Sequence, residues 1–287
     1  MLLLLLCSCS APSSSQKPSS EAGDTDTDTD TDTDTDADAD ADTDTGVEAY
    51  GAGSGPWTVT EESVDVAGQS VTLYTPDAPG PFPGVVWSHG FARGPQFHVT
   101  AARRAASWGF LVATPQLPTL SDHEANAAFI AESMVPAVDG GGGVMLVGHS
   151  AGGLASLLAA SLVSVDAYVG LDPVDASSLG AAVAGKVPNA LVLHGEPSTC
   201  NSDGNSADWT MPSAWQVSFA GASHCDFESD TESGCTLFCG ASDADRQALI
   251  QTYAVAWLIH AAGRGADAWM EGGSEAVADR DAGRISW

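Results

Sequence analysis

The run Gly148-His149-Ser150-Ala151-Gly152 has the spacing G-x-S-x-G, and a further glycine, Gly153, follows it. It comes directly after a short apolar run, 144–147, that reads as a buried strand, and directly before a helical stretch, 151–163. A serine on so tight a strand-to-helix turn is lifted above the sheet edge with a helix N-terminus aimed at it, and flanking side chains must be absent for the turn to close. The motif alone is common by chance; in this context it marks Ser150 as a candidate nucleophile for acyl transfer.

A serine hydroxyl needs a base, and the base needs a carboxylate to accept its N–H and stabilise the imidazolium. The chain has seven histidines, and His224, in Gly221-Ala222-Ser223-His224-Cys225, follows the last strand-like run, 215–219. That is where the chain order nucleophile, acid, base places the imidazole. His89 and His149 each precede a critical glycine or serine at a strand end and read as structural, His98 and His123 sit at helix starts, and His194 ends a strand. His260 falls on the apolar face of the last helix and reads as a satisfied core residue.

Two loops compete for the acid. Asp172, in Gly170-Leu171-Asp172-Pro173-Val174-Asp175, stands at the carboxyl end of a parallel strand, where catalytic groups gather. The next such loop begins His194-Gly195-Glu196-Pro197-Ser198, with serine where an aspartate is usual, and offers Asp203 and Asp208 further on. Asp172 is the preferred acid, with Asp203, Asp208 and Asp175 as alternatives. The oxyanion donors expected are the backbone N–H groups of Ala151 and of Phe91, in Ser88-His89-Gly90-Phe91. Phe91, Phe97, Leu117, Trp209 and Phe227 are candidate substrate-binding walls, although each would serve equally as core.

These residues need a scaffold, and the sequence supplies one. Runs 59–66 and 71–74 read as an opening hairpin, and 84–87, 110–113, 144–147, 167–171 and 190–193 as buried strands whose unbroken apolar character suits a parallel sheet covered on both faces. Helices are expected at 97–108, 123–138, 151–163 and 243–262. The expectation is a single domain over 47–287, a three-layer α/β/α sandwich with a mostly parallel sheet. Only about 16 residues separate Asp172 from the next strand, too few for a helical cap, so the site should be open.

The remainder of the 287 residues is acidic and cysteine-bearing. Net charge is −29; eleven aspartates stand at every second position from Asp24 to Asp44, and 26 acidic against 8 basic residues remain after residue 45. Such a balance repels phosphate backbones and anionic headgroups, which excludes nucleic-acid binding and basic-patch membrane docking. Residues 1–9 read as the end of an export signal with Cys9 as a lipid-acceptor cysteine, the one expected membrane link, and 10–46 as a disordered acidic tether. Of the four remaining cysteines, Cys200, Cys225, Cys235 and Cys239, an even count in an exported chain favours disulfides over a zinc site, which would want a C-x-x-C pair. Three pairings are possible; Cys200–Cys225 with Cys235–Cys239 is preferred. No metal or other cofactor is expected.

The runs Ser88 to Phe91, Ala106-Ser-Trp-Gly-Phe-Leu-Val-Ala-Thr-Pro-Gln-Leu117, Gly148 to Gly153, Gly170 to Asp175 and Cys200-Asn-Ser-Asp-Gly-Asn205 together resemble the chlorophyllase-type branch of the α/β-hydrolases over about residues 70–230. The chain is similar, too, to platelet-activating-factor acetylhydrolases and, more weakly, to bacterial polyester hydrolases of the PET hydrolase and cutinase kind. The first two carry the acid after the sixth strand, which gives that role to Asp172. The third, with a cysteine just after the catalytic histidine and another after the seventh strand, implies the Cys200–Cys225 bridge. The resemblance implies an α/β-hydrolase fold and a serine hydrolase cleaving small-molecule or polymeric carboxylic esters; the N-terminal signal adds export, in which the chain departs from the chlorophyllase-type branch, and a monomer is expected. A serine amidase or peptidase uses the same triad, while a surface-binding lipoprotein with a vestigial site would need none of these residues.

Overall fold

Residues 50–287 are described by a computed structural model; the signal and tether expected over 1–9 and 10–46 lie outside the described residues. The chain opens with the hairpin β1 (Val59–Val66) and β2 (Gln69–Pro76). It then alternates β3 (Gly84–Ser88), α1 (Val99–Ser107), β4 (Leu111–Pro115), α2 (His123–Phe129), α3 (Val135–Val138), β5 (Val144–His149), α4 (Ala151–Leu162) and β6 (Ala167–Leu171). After these come α5 (Leu179–Val183), β7 (Ala190–His194), β8 (Ala214–Phe219), α6 (Ser233–Cys239), α7 (Ala244–Ala261), α8 (Ser274–Asp281) and β9 (Ile285–Ser286).

The nine strands form one sheet in the order β1-β2-β4-β3-β5-β6-β7-β8-β9. Pairing is parallel from β4 through β8 and antiparallel at β1/β2, β2/β4 and β8/β9. Strand alternation sends Val85, Trp87, Met145, Val147, Val169, Leu191 and Val217 into one core with α1 and α7. Val86, Leu146, Tyr168 and Val192 enter a second core with α2, α3 and α4. Burial on both faces is why these strands carry almost no polar residues. The α/β class and the mostly parallel sheet are as expected.

Register decides what meets at the sheet edge. Ser88 pairs with Gly148, His149 with Leu171, Leu171 with Leu193, and Leu193 with Val217, so β3, β5, β6, β7 and β8 finish nearly level. The turns carrying Phe91, Ser150, Asp172, Gly195 and His224 therefore share one edge.

Three features differ from expectation. The helix expected over 123–138 is interrupted by a π-type turn, Ile130–Met134, and restarts at α3, where Pro136 lacks the N–H that a continuous helix would use. The strand at 215–219 is not the last, since β9 pairs antiparallel with Ser218 and Phe219. His260 is not in the core: α7 buries Tyr253, Trp257 and Ile259 but ends at the surface, where exposed His260 pairs through Nδ1 with Asp267 at 2.9 Å.

Candidate active site

Ser150 sits between β5 and α4 with φ 55° and ψ −123°, a backbone region that residues with a Cβ seldom occupy. The turn is held because its N–H donates to the Leu171 carbonyl at 3.0 Å and its own carbonyl accepts from Leu154 N–H at 3.2 Å. The flanking glycines are sterically required. A Cβ on Gly148 would stand 2.3 Å from the Gly152 carbonyl oxygen, and one on Gly152 would stand 2.2 Å from that of His89. Strain at one residue, maintained by its surroundings, is characteristic of a functional position.

His224 follows β8 in a short 3-10 turn, buried, and its Nδ1 lies 2.6 Å from Asp172 Oδ2. A carboxylate only accepts, so it is Nδ1 that donates, and Nε2 is the ring nitrogen not engaged by Asp172. Asp172, also buried and at φ 42°, is held by its N–H on the Leu193 carbonyl at 2.7 Å, and its Oδ1 accepts from Gly195 N–H at 3.0 Å. The competing carboxylates are employed elsewhere. Asp175 accepts from the N–H groups of Gly180 and Ala181 and from Trp209 Nε1, and Asp203 and Asp208 are exposed. Asp172 alone of the four bonds His224.

Two other histidines pack behind His224. The His149 ring lies 4.6 Å from that of His224, and the His98 ring lies 5.7 Å from His149. Burial pushes the pKa of His98 down to about 3 and that of His149 well below the ordinary imidazole value. Both are therefore neutral rings. His89 is structural, as expected: its Nδ1 donates to the Gly90 carbonyl at 2.9 Å, and its Nε2 accepts from Leu117 N–H at 3.1 Å, joining the loops after β3 and β4.

Ser150 and His224 line one open cavity of about 280 Å³, with Phe91, Arg93, Glu228 and Phe238 among its other walls. A second, of about 220 Å³, is lined by Leu117, Leu120, Ala151 and Phe91, and the segment Gly90 to Ala92 borders both. The two expected oxyanion residues thus meet beside Ser150. Ala151 opens α4, where a backbone N–H has no intrahelical acceptor, and a Cβ on Gly90 would come 3.1 Å from Ser150 Cβ. Phe91 itself is 57% exposed, a ridge between the cavities rather than core.

Of the remaining wall candidates, Leu117 lines the second cavity, whereas Trp209 and Phe227 are buried in the two cores and Phe97 is buried beneath Arg93. Phe97 lies under the Arg93 guanidinium at 3.5 Å, Trp209 packs on the α5 side, and Phe227 packs edge-on to Phe219 at 6.2 Å. The walls that sequence reading missed come from the 228–239 segment. Glu228, fully buried, takes a bidentate pair from Arg93 at 2.6 and 2.8 Å, and α6 presents exposed Phe238 to the first cavity. Adjacent large apolar residues in a loop-like stretch were the available signal.

The cysteines pair as Cys200–Cys239 and Cys225–Cys235, which overturns the expected Cys200–Cys225 and Cys235–Cys239. The reason is α6. Positions four apart on a helix keep their Cβ atoms about 5–6 Å apart, beyond the roughly 4 Å a disulfide spans, so Cys235 and Cys239 cannot bridge each other and each reaches a different loop. One bridge ends beside His224 and the other beside Asn201. Among the described residues, the one grouping of metal-type donors is Cys225, Cys235 and Cys239, all consumed by these bridges.

No protein-family model matches this sequence, and no curated protein matches it significantly.

Proposed function

We propose that the chain is a serine hydrolase of the α/β-hydrolase fold that cleaves carboxylic esters through an acyl-enzyme. The observation carrying this reading is the strained Ser150, at the N-terminus of α4, in one cavity with a histidine whose other nitrogen is bonded to a buried carboxylate. In the first half-reaction His224 Nε2 takes the Ser150 proton as Oγ bonds to the ester carbonyl carbon. The N–H groups of Ala151 and Phe91 receive the developing oxyanion, and the same proton then goes to the departing alcohol. Water repeats the sequence on the acyl-Ser150 ester, releases the acid and restores the serine.

The mouth favours apolar substrates. Phe91, Leu120 and Phe238 are exposed around the two cavities, and an open site accommodates a small ester or a segment of a polymer. Two disulfides suit an oxidising compartment, consistent with export and with a lipid anchor on Cys9.

Fluorophosphonate labelling, with the modified peptide sequenced, tests the reading. Ser150 should be the labelled residue, and Ser150→Ala should lose roughly three orders of magnitude or more in kcat on p-nitrophenyl esters while remaining folded. Retention of a tenth of the activity would remove Ser150 from the mechanism. Turnover of p-nitroanilides at rates rivalling the esters would move the assignment to an amidase.

A further inference from the structure

The orientation of the acid is fixed by a residue outside the Ser-His-Asp set. After β7 the chain makes an irregular 3-10 turn, Thr199–Asp208, in which Ser202, Asp203 and Gly204 are all left-handed. Asn201 is its third residue and has no solvent exposure. Its Nδ2 is 3.2 Å from Asp172 Oδ1, 3.1 Å from Asp172 Oδ2 and 2.9 Å from the Glu196 carbonyl oxygen. Its Oδ1 accepts from the backbone N–H groups of Ser198 at 2.7 Å and of Gly204 at 3.0 Å.

These partners fix which way the carboxamide faces. Turned over, it would set an oxygen against a carboxylate and a carbonyl, and a nitrogen against two N–H donors. The amide therefore donates to Asp172, and its nitrogen stays within reach of both carboxyl oxygens on the side away from solvent. Gly195 N–H occupies Oδ1 as well, which leaves Oδ2 turned to His224 Nδ1.

We propose that Asn201 is a positioning residue for catalysis, setting the rotation of the Asp172 carboxyl group so that Oδ2 receives the His224 N–H. The inference rests on the reading of Ser150, His224 and Asp172 as the catalytic set. It predicts that Asn201 acts through Asp172 and has no separate path to the reaction. A residue that only organised the 198–204 turn would affect the rate whether or not Asp172 were present.

A double-mutant cycle on p-nitrophenyl butyrate separates the two, since coupling between sites appears as non-additivity. Asn201→Ala should lower kcat by about 10- to 100-fold with KM within about twofold, the scale expected when a catalytic group is displaced by a fraction of a bond length. In the Asp172→Ala background the same change should cost less than about threefold. Equal fold losses in the two backgrounds, or an undiminished kcat in Asn201→Ala, would overturn the proposal.

Asn201→Leu, with the same branching at Cγ, guards against a turn that collapses around an empty space. It removes the donor toward Asp172 without leaving a cavity, so with an unchanged near-ultraviolet circular dichroism spectrum it should lose at least as much kcat as the alanine variant. Near-native turnover there would equally overturn the proposal. Failure of the underlying reading shows elsewhere: a fully active Asp172→Ala or an unlabelled but folded wild type would remove the catalytic set itself, and the role of Asn201 with it.

Discussion

His149 Nε2 lies 3.2 Å from the backbone carbonyl oxygen of His224, and the two imidazoles pack 4.6 Å apart at a 38° tilt. The residue before the candidate nucleophile thus holds the candidate base twice, once by a hydrogen bond to its backbone and once by its ring face. Because burial keeps His149 neutral, it adds no positive charge beside an imidazole that, on the proposed mechanism, gains a proton during turnover.

That arrangement separates the bond from the packing. His149→Phe retains a ring and loses the donor, so kcat should fall by about 3- to 10-fold, the cost of one neutral hydrogen bond of roughly 1 kcal/mol. His149→Ala removes the ring as well and should also destabilise the fold by about 2–4 kcal/mol through the cavity it leaves. Steady-state kinetics and urea melts of both variants measure these effects; identical kinetics in wild type and His149→Ala would show that the ring does not hold the base.

The acid assignment has a local control. Asp172→Asn should lose roughly three to four orders of magnitude in kcat, since the amide can neither hold the same tautomer nor stabilise an imidazolium. Asp175→Asn, three residues away, instead weakens contacts to the start of α5 and to Trp209, and should lower thermal stability with little change in kcat. The reverse pattern would transfer the acid to Asp175.

The parts that sequence reading reached share a physical property: their signals are local or topological. Gly148 and Gly152 are dictated by clashes within one turn, and the order Ser150, Asp172, His224 follows from strands that end level in a parallel sheet. The pairing of Cys235 and Cys239 was illegible because Ser233-Gly-Cys-Thr-Leu-Phe-Cys239 has no apolar stripe to announce a helix, and without the helix the four-residue spacing looks closable. β9, two residues long, has no periodicity to detect. Phe97, Trp209 and Phe227 were misplaced because an aromatic residue near a loop has the same composition signal in a core as on a cavity wall. Leu249, Tyr253 and Trp257 define the stripe of α7 well enough, but His260 lies where that stripe leaves the core, and periodicity does not mark that point.

The disulfides give an ordered stability prediction. Cys200–Cys239 closes 39 residues and Cys225–Cys235 closes 10, so chain entropy assigns them about 4 and about 3 kcal/mol. Cys200→Ser/Cys239→Ser should therefore melt lower than Cys225→Ser/Cys235→Ser. Either pair should also lose activity, since the bridges join α6 to the residues beside Asn201 and His224. Peptide mapping of unreduced protein checks the connectivity first: recovery of a Cys200–Cys225 peptide would refute this account.

His98 gives a prediction about acid. Both of its ring nitrogens are buried without a partner, against Trp87 on one side and neutral His149 on the other, and His89, Arg93 and Asp230 are the further charged or titratable groups that act on it. Burial lowers its pKa to about 3 from the ordinary 6.5. Between those values the unfolded chain binds a proton that the folded protein does not, so the contribution of this residue to stability is complete above about pH 6.5 and is lost as pH falls toward about 3, with a slope of up to about 1.4 kcal/mol per pH unit. His98→Phe preserves a flat ring of similar size and removes the titration. Repacking sets its stability at about pH 8, whatever the sign, but on acidification to about pH 4 the variant should lose less stability than wild type. Thermal melts at the two pH values read the difference directly: a gap between variant and wild type that stays constant across them would mean that His98 is not the buried neutral group the structure describes.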